Sequence, residues 1–345
     1  MSSIDWDTAQ VVARRFSGDY PLADTYHERK FALQAPEYVA RASDLVANET
    51  GLELPGSPVV DVISRQDWVA TNIASFSALL APLEEKMGKS SDSNSRSIPG
   101  RFMGAELGAV LGFMSKRVLG QYELVLPTGD SDRGDTVLFV GANVLSMERQ
   151  HEFRPSHFRF WVALHECAHR AQFTGVPWLR DYFLSLVEEL VGSSEAEKGR
   201  MTRLASELVS NTGPDSDLLG DAGLLGLFAS PSQRAVLDKV QALMSLLEGH
   251  GHVVMDRIGE REIVDVGRMS QVLKARRKDP KTAAFMKLIG IEMKLKQYEM
   301  GAKFINSVED LASWDALSMA WESPQALPTL EEISDARSWL DRMSG

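Results

Sequence analysis

The segment from Phe158 to Phe173 contains the uninterrupted motif His165-Glu166-Cys167-Ala168-His169, which has the form H-E-x-x-H. The residues around it are apolar or favour helices, and neither glycine nor proline follows until Gly175. The motif is therefore predicted to lie inside a helix. Residues four apart share one face of a helix, so the imidazoles of His165 and His169 are placed to bind the same metal ion.

Glu166 is turned by about 100° from His165 around the helix axis. From that position its carboxylate is expected to reach a water on the metal without being a ligand itself. This arrangement is typical of sites in which zinc lowers the pKa of water and a carboxylate accepts the proton. The pattern also arises by chance, and interior histidines are often hydrogen-bonded core residues, so a third ligand is needed to decide.

A second stretch, Glu248-Gly249-His250-Gly251-His252, follows a helical pattern of apolar residues that runs from Gln233 to Leu247. A site of two histidines and one glutamate leaves the fourth zinc position open, as in catalytic sites. We therefore predict one zinc per chain, bound by His165, His169 and Glu248. A site of three histidines, with His250 as the third ligand, is the alternative.

Three further residues are candidates for supporting roles. His252 lies one helical turn after Glu248, where it is expected to orient a ligand or approach the substrate oxyanion. Asp256 is expected to fix an imidazole or to cap a helix end. Tyr298 is a candidate hydrogen-bond donor to the oxyanion, and the alternative is a tyrosine anchored by packing. Cys167 is expected to be a small packing residue and not a zinc thiolate, because it faces another side of the helix.

The two motifs together resemble those of the gluzincin class of zincins, whose second motif commonly reads Glu-Gly-x-Ala. Gly251 replaces the alanine here, which leaves the ligand assignment intact but permits a less regular helix.

Over most of its length the chain also resembles an actinobacterial zincin-like family that is labelled as associated with deazaflavin-cofactor biosynthesis. The matching segments are Asp5-Trp6-Asp7, Gly104 to Gly108, Val118 to Tyr122, His165 to Leu179, Glu248-Gly249-His250, Lys296 to Gly301 and Leu327 to Ile333. The resemblance implies a mainly helical zincin-type metallohydrolase, and it supplies no substrate.

Composition narrows the classes of partner. The 345 residues are 44% hydrophobic, which is sufficient for a large core, and the formal net charge of −11 disfavours nucleic acid or an anionic membrane as the main partner. The chain contains one cysteine and no recognisable secretory signal or membrane span. We therefore expect a soluble, cytoplasmic protein; the sequence predicts no oligomeric state.

The rest of the chain predicts a single mainly helical α+β domain over residues 1–345, with a mobile loop at about 88–98. Helices are expected from Asp7 to Phe16, from Ala23 to Ala47 with a break near Pro36, and in most of the chain after the motif. The glycine-rich stretch from Phe102 to Gly120 is expected to pack closely on another helix and to cradle the motif helix. Tyr122 to Pro127 and Thr136 to Val140 are predicted to form a small hairpin or sheet edge beside the motif.

These features favour a zinc metallopeptidase in which Glu166 is the general base, acting on a peptide or a small amide. An exposed strand edge beside the metal would suit an extended peptide, although a purely structural hairpin fits the pattern better. Two alternatives stay open. One is a scaffold protein of the same fold without turnover, and the other is a zinc amidohydrolase for small molecules.

Overall fold

The computed structural model describes residues 4–18, 20–88, 98–123, 135–192, 231–277 and 293–345. The loop predicted at about 88–98 lies outside these residues except at its two ends. Part of the region after the motif that is expected to be helical, residues 196–209, lies outside them as well. Within the described residues the protein is mainly helical with one small mixed sheet, which confirms the predicted fold class.

Two compact units account for the chain. The first comprises residues 1–175 and 258–265, and the second comprises residues 176–257 and 266–345. The single domain over residues 1–345 stays a prediction. No helix in the described residues is both long enough and apolar enough to cross a membrane.

The first unit contains all three described strands. Its elements, in chain order, are α1 (Trp6–Ser17), α2 (Tyr26–Thr50), β1 (Val59–Ile63), α3 (Arg65–Gly88), α4 (Ile98–Ser115), β2 (Gly120–Glu123), β3 (Thr136–Val140), α5 (Gly141–His151) and α6 (Pro155–Gly175).

All described secondary-structure elements of the second unit are helices. Its elements are α7 (Leu179–Gly192), α8 (Pro231–Glu262, of which residues 258–262 belong to the first unit), α9 (Val266–Arg277), α10 (Met293–Leu311), 3₁₀ helices at Trp314–Trp321 and Pro324–Ala326, α11 (Leu330–Ser334) and α12 (Ala336–Ser344).

The sheet has the strand order β1-β3-β2. Strand β3 pairs in parallel with β1, with Val59 opposite Thr136, and antiparallel with β2, with Gly120 opposite Phe139. All five residues of β3 are buried, as expected for a central strand in which four of the five residues are β-branched or aromatic. The predicted pairing is confirmed where it can be compared, at Tyr122 and Glu123, but β2 begins earlier, at Gly120, and residues 124–127 of the predicted strand lie outside the described residues. Strand β1 was not recognised from the sequence because its apolar run is short.

Helix α2 is continuous through Pro36, so the expected break there was wrong. Proline removes one main-chain hydrogen bond and strains the preceding turn. Ala35 before the proline and Val39 and Ala42 after it are fully or almost fully buried, and α2 packs against α6. Packing along this face therefore outweighs the local cost of the proline.

The glycines of α4 pack against α1. A Cβ atom added at Gly104 or Gly108 would lie 2.2 or 2.3 Å from the main-chain oxygen of Asp5 or Ala9, respectively. Such short distances leave room only for glycine. The expected close helix packing is confirmed, but the partner of these glycines is α1 and not the motif helix α6. Sequence alone does not identify which helix a small-residue stripe faces.

Glycines also allow a close crossing of α8 and α10 in the second unit. A Cβ atom at Gly301 would lie 1.8 Å from the main-chain oxygen of Ser245, and one at Gly249 would lie 2.2 Å from the carbonyl carbon of Gly301. Because the obstacles are main-chain atoms, side-chain rotation cannot relieve the overlap. Gly249 directly follows Glu248, so this crossing fixes the backbone of the second motif.

We expect the Gly301→Ala substitution to lower the free energy of unfolding by about 1–3 kcal/mol, the usual cost of overpacking. Gly267→Ala in α9 is the matched control, because a Cβ atom there meets nothing within 4 Å. That control should be neutral or more stable by up to about 1 kcal/mol. Chemical unfolding of both variants makes the comparison, and equal stabilities would contradict the close crossing.

The C-terminal tail follows its local sequence signals. Thr329 and Glu332 have the spacing of a capping box in the sequence, and they form one at the start of α11, with reciprocal hydrogen bonds of 3.2 and 2.8 Å. Trp339 is fully buried and donates its indole N–H to the oxygen of Ala326. The sequence favours core-anchor roles for the three tail tryptophans, Trp314, Trp321 and Trp339; the last is fully buried and the other two are partly buried.

Candidate metal centre

The H-E-x-x-H motif lies within helix α6, as predicted. Most residues from Phe158 to Gln172 are buried, whereas His165 and His169 are only partly buried. Helix α6 packs against α2, α5 and β2, so the core holds the helix while its two histidines keep access to solvent.

The imidazoles of the two motif histidines converge. Their Nε2 atoms are 3.3 Å apart and the ring planes are nearly perpendicular, at 81°. Two nitrogen ligands at about 2.0–2.1 Å from a tetrahedral zinc ion lie about 3.3 Å from each other. The pair therefore has the separation that zinc requires. A hydrogen bond from a protonated Nε2 of His165 would give a similar distance.

Gln172 orients the second histidine. Its Oε1 atom lies 2.9 Å from Nδ1 of His169, and its side chain is fully buried. With the amide oriented in this way, Nδ1 carries the proton and Nε2 presents its lone pair, which is the tautomer that binds a metal. The spacing of three residues on one helix was a usable signal for this contact, although it was not recognised from the sequence.

Glu166 is 5% exposed and lies against strand β2. Its Oε2 atom accepts a hydrogen bond of 2.9 Å from the main-chain N–H of Tyr122. A Cβ atom at Gly120 would lie 2.6 Å from Oε1 of Glu166. The position of this carboxylate therefore depends on a main-chain donor and on a missing side chain, neither of which the motif reveals.

Arg170, the residue after His169, ties the motif helix to the sheet. Its guanidinium is fully buried, is 2.7 Å from Asp135, and also donates to the main-chain oxygen of Pro55 at 2.6 Å. Asp135 immediately precedes β3, and Pro55 lies in the connection to β1. These contacts fix the register of α6 relative to the sheet, of which β2 with Tyr122 is an edge strand.

Cys167 is a packing residue, as predicted. It is fully buried, and its Sγ atom lies 3.6 Å from both Oγ of Ser43 and the main-chain oxygen of Val39. Burial raises the pKa of the Cys167 thiol to about 12. The protonated thiol is therefore unsuited to bind zinc or to act as a nucleophile.

The second motif lies in the middle of helix α8, in the second unit. Glu248 is buried, with 9% of its surface exposed. The helix is regular through Gly251, so the less regular geometry that this glycine would permit does not occur. His252 lies one turn after Glu248, and its Nε2 atom is 3.4 Å from Oδ2 of Asp256. The predicted role of Asp256 in fixing an imidazole stays a prediction.

His250, the alternative third ligand, is packed among aromatic rings. It stacks on Trp314, with ring centroids 6.0 Å apart and an interplanar angle of 11°, and its ring meets Trp321 at 73°. Two residues along a helix correspond to a rotation of about 200°, so His250 and Glu248 leave α8 in opposite directions. Helix α10 contains Tyr298, but the side chain of this candidate lies outside the described residues.

Residues 4–340 match the model of the zincin-like metallopeptidase family. The chain belongs to this family. The match covers both motifs, so the zincin-like character inferred from the sequence is confirmed. The family match does not test the finer resemblances to gluzincins and to the deazaflavin-associated group.

A solved structure of a candidate hydrolase with a novel fold from Chloroflexus aurantiacus is similar to this zincin-like protein. The two are 30% identical, the similarity covers 99% of each chain, and the TM-score is 0.72. A search of proteins with curated descriptions found no match. The family is one of metallopeptidases and the similar structure is described as a candidate hydrolase, so both point to the general class of hydrolases.

Proposed function

We propose that this zincin-like protein is a zinc-dependent metallopeptidase. In this proposal His165, His169 and Glu248 bind one zinc ion per chain, and Glu166 is the general base. The convergence of the two Nε2 atoms at 3.3 Å is the observation that carries the proposal, because it matches two ligands of one tetrahedral ion.

The choice of Glu248 over His250 rests on their surroundings in the second unit. His250 is occupied by stacking against Trp314 and Trp321, whereas Glu248 leaves α8 on another face. Glu248 also shares a face with His252, which is suited to a supporting role one turn away. The proposal therefore has the ligand order of gluzincins, and it assigns no role in deazaflavin-cofactor biosynthesis.

The proposed chemistry divides between the ion and the chain. Zinc would supply Lewis acidity, which makes a water acidic near neutral pH and polarises a carbonyl group. Glu166 would accept the proton of the attacking water and then pass it to the leaving amine. Tyr122 holds one oxygen of that carboxylate, and Gln172 holds the tautomer of His169 that leaves Nε2 unprotonated.

A peptide is the proposed substrate because the family is one of metallopeptidases. Strand β2 lies at the edge of the described three-stranded sheet, and it contacts the proposed general base directly. Small amides remain the second substrate class, since their hydrolysis needs the same chemistry. We also propose that the protein is soluble and cytoplasmic and that neither nucleic acid nor a membrane is its partner, in keeping with the net charge of −11.

The first experiment is the metal content of the purified protein and its Glu248→Ala variant, measured by elemental analysis after mild chelation. We expect one zinc per wild-type chain and a large loss in the variant, because two histidines alone bind zinc weakly. Glu260→Ala is the matched control, since Glu260 is an exposed residue of the same helix. This control should keep its zinc.

His250→Ala distinguishes the two ligand sets. If Glu248 is the third ligand, the His250→Ala protein retains one zinc per chain although it loses aromatic packing. Zinc retained by Glu248→Ala but lost by His250→Ala would replace the proposed site with one of three histidines. No zinc in the wild-type protein would favour a scaffold of the same fold.

A further inference from the structure

The main-chain N–H and C=O groups of two residues in strand β2 point away from its partner strand, β3. Leu119, just before β2, accepts a hydrogen bond of 2.9 Å from the N–H of Val140. In an antiparallel pair, residues alternate between pairs that exchange hydrogen bonds and pairs that do not. With Gly120 opposite Phe139 and Tyr122 opposite Val137, the main-chain groups of Gly120 and Tyr122 point outward.

Glu166 occupies this outward side of the strand. The N–H of Tyr122, which in a wider sheet would donate to another strand, donates to Oε2 of Glu166 at 2.9 Å. An N–H bond to an ionised carboxylate is among the stronger hydrogen bonds in proteins. A side chain of α6 thus takes the place of a further strand at this position.

Gly120 provides the space for the same carboxylate. A Cβ atom there would have three nearest neighbours, all of them atoms of Glu166: Oε1 at 2.6 Å, Cγ at 2.8 Å and Cδ at 2.9 Å. Gly120 is not among the glycines with positive φ, so the backbone itself would accept alanine. The glycine is therefore explained by the position of Glu166 and not by a turn.

The rest of β2 is held in place independently of Glu166. Asn72 of α3 donates to Oε1 of Gln121 at 3.2 Å, and the ring of Tyr122 stacks on Phe173 with centroids 6.5 Å apart. Phe173 lies on α6, two turns beyond the general base. Strand and helix are thus attached at a second point, which makes β2 a fixed support for the carboxylate.

We propose that β2 is the positioning element of Glu166, in which the N–H of Tyr122 holds one carboxylate oxygen and Gly120 provides the space for the side chain. The functional consequence rests on the proposed role of Glu166 as general base. It also restricts substrate binding, because a peptide cannot pair with the N–H of Tyr122 while Glu166 occupies that donor.

The first test is the amide signal of Tyr122 in protein labelled with ¹⁵N-tyrosine. The chain has six tyrosines, and the Tyr122 signal is identified by its loss in Tyr122→Phe, which keeps the main chain. We expect the Tyr122 amide proton to shift upfield in Glu166→Ala because the carboxylate acceptor is gone, with the other five signals nearly unchanged. An unmoved Tyr122 signal would overturn the proposal.

The second test is a double-mutant cycle of Gly120→Ala and Glu166→Ala, followed by thermal unfolding. Gly120→Ala should lower Tm by at least about 2 °C in the wild-type background. In the Glu166→Ala background it should have little effect, because all three atoms near the new Cβ are then absent. An equal loss of Tm in both backgrounds would show that Gly120 serves another purpose, and would overturn the proposed space for Glu166.

Neither readout depends on zinc or on turnover. Coupling between the two sites in a protein that binds no zinc would support the positioning element and contradict the metallopeptidase. An active zinc enzyme without coupling would contradict the positioning element alone. If Gly120→Ala fails to fold, the Tyr122 amide signal in the wild type and in Glu166→Ala, which both keep Gly120, still decides the proposal.

Discussion

Replacing Glu166 by glutamine is expected to lower kcat for peptide hydrolysis by about 10²–10⁴-fold, the usual contribution of a general base. The amide has nearly the same shape as the carboxylate and can still accept the N–H of Tyr122. The substitution therefore removes proton acceptance while it preserves packing. We expect one zinc per chain and little change in KM, since Glu166 is not a proposed ligand.

Glu260→Gln is the control for this experiment, because it makes the same chemical change at an exposed position of α8. Its activity should equal that of the wild type. A Glu166→Gln protein that retains both zinc and full activity would exclude the proposed mechanism. If the wild type and Glu166→Gln both bind zinc and neither hydrolyses peptides, the result would instead indicate a scaffold.

The sequence predicted the parts of the site that depend on local periodicity. The helical setting of the motif, the shared face of His165 and His169, and the buried thiol of Cys167 all follow from spacing along one helix. The capping box of Thr329 and Glu332 is local in the same sense. These features require no knowledge of which elements are neighbours.

The features that were missed depend on contacts between elements distant in sequence. Tyr122 contacts Glu166 through its main chain, so its side-chain identity carries no signal for that hydrogen bond. Arg170 finds Asp135 and Pro55 only once α6 has docked on the sheet. The continuity of α2 through Pro36 was missed for the same reason, because tertiary packing outweighed the local preference of proline to break a helix.

A buried ion pair links the motif helix α6 to α5, and breaking it should destabilise the protein strongly. Arg159 of α6 donates to both carboxylate oxygens of Glu148 on α5, at 2.7 and 2.9 Å, and both residues are buried. Arg159→Ala would leave the Glu148 carboxylate buried without its counterion. We expect a loss of about 3–5 kcal/mol in the free energy of unfolding.

Arg261→Ala is the control, because Arg261 forms an ion pair with Glu49 in the same unit but its side chain is 54% exposed. That variant should lose less than about 1 kcal/mol. Replacing both members of the buried pair, as Glu148→Leu with Arg159→Met, should restore most of the loss, since no unpaired charge remains. Equal losses for Arg159→Ala and Arg261→Ala would contradict this account.

The effect of Arg159→Ala should also depend on pH. Burial raises the pKa of the Glu148 carboxyl, and the hydrogen bonds and charge of Arg159 oppose that rise. Without Arg159 the pKa in the folded state rises further above its value in the unfolded chain. The folded variant then binds a proton more readily than the unfolded one, so its deficit relative to wild type should shrink as pH falls and Glu148 becomes neutral. Urea unfolding of both proteins at pH 7 and pH 5 measures this difference, and a deficit that grows at pH 5 would show that the unpaired carboxylate is not its cause.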